Sequence, residues 1–182
     1  MTVTPWTTLL SATAAAFTAL LFAHAAWRKA SEFEIFQGFV QDYRVLPQNL
    51  VTIVSGVLIA AELAVPVALL LPRQGRYGAI LAIVLLTVYA LAMSINLLRG
   101  RHHIRCGCGG APQPLTSSLV ARNALLAAVA ALILLPPHGD LAWWGMTVAL
   151  CGGITAWTIF IVLETVMSNH AYVRTIASGQ SR

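Results

Sequence analysis

Charge is what this chain has least of. Only 9% of its 182 residues are Asp, Glu, Lys or Arg, and 58% are hydrophobic. A soluble domain carries about 25% charged residues. So few cannot clothe a water-facing surface, which excludes an ordinary soluble globule and points to an integral membrane protein. Cysteine is scarce too: three thiols are too few for a disulfide scaffold. No basic segment precedes the first apolar run. Arg28 and Lys29 follow it instead, the reverse of a cleaved signal peptide. Internal repeats, low-complexity stretches, cofactor motifs and nucleophile–base constellations are all missing, so no cofactor is expected. The net charge of +5 comes from basic residues in short loops. That pattern suits topology signals and lipid headgroups rather than nucleic acid.

What is present is apolar helix. A membrane-spanning helix needs ~17–25 apolar residues, and five windows qualify: about 7–27, 50–71, 77–98, 119–135 and 141–163. They predict an all-α integral membrane fold in one transmembrane domain over residues 1–182. Between the first two windows, Phe33, Phe36, Val40 and Tyr43 recur at the spacing of one helix face. Glu32, Glu34, Asp42 and Arg44 lie mostly off that stripe. A short interfacial amphipathic helix is expected there, ending before Pro47.

The basic residues set an orientation. With the N-terminus outside, nine of them fall on the cytoplasmic side: Arg28, Lys29, Arg44, Arg99, Arg101, Arg105, Arg122, Arg174 and Arg182. Arg73 and Arg76 alone fall outside. The positive-inside bias therefore favours N-out, C-in.

The chemistry concentrates in the loop at 99–118, above all in RGRHHIRCGCGG. Cys106 and Cys108 are separated by one glycine, whose backbone freedom a tight ring requires. Residues two apart reach at most ~7 Å, while a relaxed disulfide prefers about 5.5–6 Å. A Cys106–Cys108 bond would be strained, and a strained disulfide exchanges readily. Arg99, Arg101 and Arg105 stand close by and favour the thiolate. The same stretch offers a metal alternative, with His102, His103, Cys106 and Cys108 as four ligands. Its spacing matches no common zinc pattern. Cys151, followed by Gly152 and Gly153, reads as a helix-packing position.

Inside the spans, Glu62 stands out. It lies near the bilayer midplane, where a carboxylate costs ~2.5–3.5 kcal/mol on insertion scales, so it must face a partner in the bundle. By helical rise, Tyr89 on the third span falls at a similar depth and can hydrogen-bond it. His24 lies too near the end of the first span to serve. Arg122 and Asn123, at the start of the fourth span, lie at the membrane face of the Cys-Gly-Cys loop. There Arg122 can reach headgroups, support a thiolate or bind loop carbonyls.

WRKASEFEIFQGFVQDYRVLP, AELAVP, NLLRGRHHIRCGCGG and SSLVARNALL occur in this order. The combination resembles the methylamine utilisation protein MauE family, over roughly residues 20–135. That family is similar to the DoxX-like membrane proteins, which implies a four-helix bundle core, here with a fifth transmembrane helix. The resemblance implies a bacterial inner-membrane factor for maturing methylamine dehydrogenase. Its role would be processing, transport or disulfide formation of the small subunit, alongside a thioredoxin-like, MauD-like partner. The matching motif residues are Cys106, Cys108, Arg99, Arg101, Arg122 and Asn123.

Three functions stay open. The first is a thiol–disulfide oxidoreductase at the Cys-Gly-Cys loop. The second is a non-catalytic assembly or export scaffold. The third is a small metal or solute transporter. The first meets a conflict of sides. Disulfides form outside the cytoplasm, yet the charge count puts the loop inside. A misleading charge bias, a re-entrant loop or an outward relay of reducing equivalents would each resolve it.

Overall fold

The computed structural model describes residues 6–71, 73–101, 105–106, 113–135 and 141–179; at 105–106, 113–114 and 170–179 it describes the backbone alone. Six helices dominate: α1 (Trp6–Ser31), α2 (Phe33–Asp42), α3 (Val51–Leu70), α4 (Gly75–Leu98), α5 (Ser117–Ala131) and α6 (Trp143–Gly179). All but α2 belong to segments long and apolar enough to cross a membrane. The expected all-α membrane fold is therefore what forms. One small element has no signal in the sequence. Arg105–Cys106 (β1) and Gln113–Pro114 (β2) make a two-residue antiparallel ladder, pairing Arg105 with Pro114 and Cys106 with Gln113.

Four helices share one core. Phe17 and Phe22 of α1 meet Val65 of α3, Ala82, Leu85 and Leu86 of α4, and Leu126 and Ala130 of α5. The outer faces stay apolar: Ile53, Val57, Val67, Val84 and Leu91 are each at least half exposed. In water such a surface would be untenable; in lipid it is the required one. Trp6, Tyr77 and Trp143 stand exposed at one end of the bundle and Trp27 at the other. Amphipathic rings at both ends are the signature of membrane–water interfaces.

Helix α2 lies against α3 and α1. Phe36 is buried and Phe33, Val40 and Tyr43 are half-buried, whereas Glu32, Glu34, Asp42 and Arg44 are exposed. The stripe read from the sequence is the face turned to the bundle. At the end of α4, Gly100 takes φ +71°. Its N–H donates to Leu97 O (3.0 Å), and the Arg101 N–H donates to Asn96 O (3.0 Å). This paired closure needs a left-handed residue, which glycine supplies without a steric penalty. It turns the chain into the loop that carries the cysteines.

Helix α6 packs on α1 through glycines. A Cβ built on Gly153 would come within 2.5 Å of Ala16 Cβ, and one on Gly152 within 3.2 Å of Thr13. Phe17 and Phe160 add an edge-to-face contact at 6.0 Å. Cys151 itself is exposed, and the two glycines after it make the close approach. Replacing Gly153 by Leu should lower stability by about 1–3 kcal/mol through overpacking. Gly56→Leu, at a site with nothing within 4 Å of the added Cβ, should be near neutral. Thermal unfolding of the two variants in detergent measures the difference.

Candidate functional site

The buried residues of α1 recur every three or four positions: Ala14, Thr18, Phe22, Ala26 and Lys29. Lys29 thus continues the inward stripe rather than flanking the span. Side chains on a helix lean toward its N-terminus, so the four-carbon stem runs back into the bundle. The ammonium reaches Glu62 on α3. The two side chains form an ion pair with exposures of 3% and 1%. These values matter because a charge so far from water must be matched locally.

Tyr89 on α4 completes the group. Its hydroxyl donates to Glu62 Oε1 at 2.6 Å, as the depths of the two residues suggested. Lys29 Nζ donates to the same Glu62 oxygen and lies 3.4 Å from Tyr89 Oη. The ammonium also sits 4.6 Å from the Tyr89 ring centre and 5.1 Å from that of Phe36. Cation–π contact adds roughly 0.5–2 kcal/mol in a desolvated setting. Because both donors converge on Oε1, Glu62 Oε2 has no hydrogen-bond partner among the described residues.

A second ion pair faces this one. Arg122 on α5 pairs with Glu164 on α6, both largely buried. Arg122 therefore spends its charge inside the bundle rather than on headgroups or loop carbonyls. Asn123 beside it is buried and donates to Leu119 O at 2.9 Å. Between the two pairs lies a cavity of about 40 Å³, bounded by His24, Glu62, Tyr89, Arg122, Asn123 and Glu164. Room for one or two water molecules is about what such a volume provides. Arg122 Nε and Glu62 Oε2, buried and without a hydrogen-bond partner among the described residues, belong to the residues that bound it.

A larger cavity of about 280 Å³ opens on the other side of Tyr89, beneath α2. Phe36 and Phe39 from α2, Tyr43 directly after it, Val54 and Leu58 from α3, and Val88 from α4 form much of its wall. Lys29 and Tyr89 supply polar groups to it.

The loop chemistry is only partly described. Cys106 is described through its backbone in β1, as is Arg105; Cys108, His102 and His103 lie outside the described residues. Arg99 is exposed and Arg101 half-buried at the end of α4. Among the described residues no cluster of three or more His, Cys, Asp or Glu could hold a metal. The loop is nevertheless anchored. Leu115, directly after β2, is 1% exposed and packs with Met93 and Leu119, with Tyr43 and Tyr89 against the same cluster.

Two residues of this site escaped the sequence reading. In the sequence Lys29 reads as a flanking charge, because Arg28 precedes it and Trp27 ends the apolar run. The stripe through Ala14, Thr18, Phe22 and Ala26 is marked as inward-facing only by its burial in the bundle, because the span is apolar all round and its periodicity picks out no face. Glu164 falls directly after the fifth apolar window, where it reads as an ordinary flanking charge. Its phase with Trp157, Phe160 and Ile161 marks the same helix face.

Removing one partner of a buried pair strands the other charge, at a cost of about 3–5 kcal/mol. Lys29→Met should therefore destabilise strongly. The double variant Lys29→Met/Glu62→Gln should recover part of the loss. Unfolding midpoints of the three proteins in detergent test this coupling, and an additive result would refute it.

A family model described as "Methylamine utilisation protein MauE" matches residues 7–136. A methylamine utilization protein MauE of Paracoccus denitrificans is 40% identical over 149 residues, covering 80% of each chain. One from Paracoccus versutus is 41% identical over 151 residues, covering 81% of this chain and 79% of the relative. One from Methylorubrum extorquens is 41% identical over 117 residues, covering 63% of each. No solved structure matches the chain. With all of α2 to α5 and all but the first residue of α1 inside the matched segment, and two relatives aligned over about four fifths of their length, this multi-pass helical protein belongs to the methylamine utilisation protein MauE family.

Proposed function

We propose that this protein is a membrane-embedded thiol–disulfide exchange factor of methylamine utilisation. It would support maturation of the exported small subunit of methylamine dehydrogenase, with Cys106 and Cys108 as the exchanging pair. Family membership supports the pathway. The single observation that carries the chemistry is the ladder at the loop. Cys106 is paired through its backbone to Gln113, two residues before the buried anchor Leu115. The backbone of Cys106, tethered this way, is held close to the buried end of the bundle. Arg99 and Arg101, at the end of α4, add positive charge that favours the thiolate. A thioredoxin-like protein is the expected exchange partner.

The proposed setting is the bacterial inner membrane with the N-terminus outside. Of the nine basic residues assigned to the inner side, Lys29 and Arg122 are neutralised within the bundle by Glu62 and Glu164. Seven remain against Arg73 and Arg76 outside, so the positive-inside bias persists.

The test is genetic and chemical. Replacing Cys106 and Cys108 by Ser should lower active methylamine dehydrogenase at least tenfold while the variant still inserts to wild-type levels. Cys108→Ser alone should trap a mixed disulfide with the partner. Normal maturation with both cysteines absent would leave only a scaffold. An impermeant maleimide applied to intact and permeabilised cells gives the side of the loop.

A further inference from the structure

The 280 Å³ cavity beneath α2 has no part in the function proposed so far. Its walls are almost wholly apolar, and its polar groups are unusual. Lys29 is an ammonium already neutralised by Glu62. The end of the cavity therefore offers a hydrogen-bond donor yet carries no net charge. An anionic lipid headgroup would find no free cation there. A neutral molecule with a carbonyl oxygen would find the remaining Lys29 N–H. The ammonium donates to Glu62 Oε1 and, weakly, to Tyr89 Oη, and among the described residues it has no third acceptor.

Shape adds a second constraint. Phe36, Phe39, Tyr43 and Tyr89 place four aromatic rings on the walls, which suits a flat ligand. Apolar cavities of roughly 150 Å³ already accept benzene. About 280 Å³ accommodates a substituted ring and the start of its tail, but not a whole phospholipid. The cavity's other walls are α3 and α4, whose outer faces are apolar, so a ligand dissolved in lipid meets the helices that bound it.

Position adds a third. Tyr43 and Tyr89, which line the cavity, also pack against the cluster that holds Leu115. Leu115 is two residues from Gln113, whose strand partner is Cys106. By strand geometry the Cα atoms of Cys106 and Leu115 are within roughly 13 Å of each other.

From these observations we propose that the cavity between α2, α3 and α4 binds the ring of a lipid-soluble quinone, with a ring carbonyl accepting from Lys29. Resting on the thiol-exchange reading, the quinone is the electron acceptor for the cysteine pair. The S–H bonds of Cys106 and Cys108 break and an S–S bond forms. Two electrons pass to the ring, and two protons form its two O–H bonds, giving the quinol. Lys29 stabilises the oxygen on which charge develops, as an oxyanion-binding donor does.

The experiment uses the full chain in lipid nanodiscs and decylubiquinone as the probe. Wild type should bind it saturably, near one ring per chain. Val54→Trp, which fills the cavity without touching the ion pair, should weaken binding at least tenfold and keep the wild-type unfolding midpoint. Absence of saturable binding, or equal binding by folded Val54→Trp, overturns the site. Under anaerobic conditions the reduced wild type should lose two thiols per quinol formed. Cys106→Ser/Cys108→Ser should bind the probe equally and reduce none of it. Binding without thiol loss in the wild type overturns the redox link and leaves the site standing. Thiol-dependent maturation in cells without probe binding overturns the quinone and leaves the exchange reading standing.

Discussion

Three helices of this protein are held in register by one charge pair that has nowhere else to go. Lys29 from α1 and Glu62 from α3 meet where water is excluded, and Tyr89 from α4 closes the group. Each charge alone would cost several kcal/mol in that setting, so the energy of the bundle depends on their meeting. The pairing fixes the rotation of α1 and α3 about their axes. A helix turned by one residue, about 100°, would point its charge into lipid. The apolar contacts of Phe17, Val65, Leu86 and Leu126 are then assembled around a geometry that the polar group has selected.

The same group divides the interior in two. Tyr89 stands between a small polar cavity that runs toward Arg122 and Glu164 and a larger apolar one beneath α2. On one side lie groups suited to holding water. On the other lies a surface suited to a flat apolar molecule. The hairpin stem of Arg105–Cys106 and Gln113–Pro114 joins this interior through Leu115. A loop that looks like a detachable polar insertion in the sequence is thus tied to the core at the level of α2.

The matched family segment ends at residue 136, before α6 begins. Yet α6 contributes Glu164, the counter-charge of Arg122, and Phe160 and Ile161 beside it. Arg122 lies within the matched segment while its carboxylate lies beyond it. The close seating of Gly152 and Gly153 on α1 brings that carboxylate within reach. The fifth span is therefore part of the buried polar system and not only an added anchor.

The membrane class, the helical architecture and the interfacial helix could be read from the chain alone. Crossing lipid is a property of one segment: its length and its lack of charge suffice. The amphipathic stripe of α2 was legible for a similar reason, since one face meets water and the other does not. Glu62 was legible as a residue needing a partner, and Tyr89 as a partner at its depth. What tertiary structure alone decided is which charges turn inward. The spans are apolar around their whole circumference, so periodicity marks no packing face. Lys29 looked like a flanking charge, and Arg122 like a headgroup contact, until neighbouring helices supplied Glu62 and Glu164. Local sequence sets what each helix can tolerate; only packing brings opposite charges from distant segments to one point.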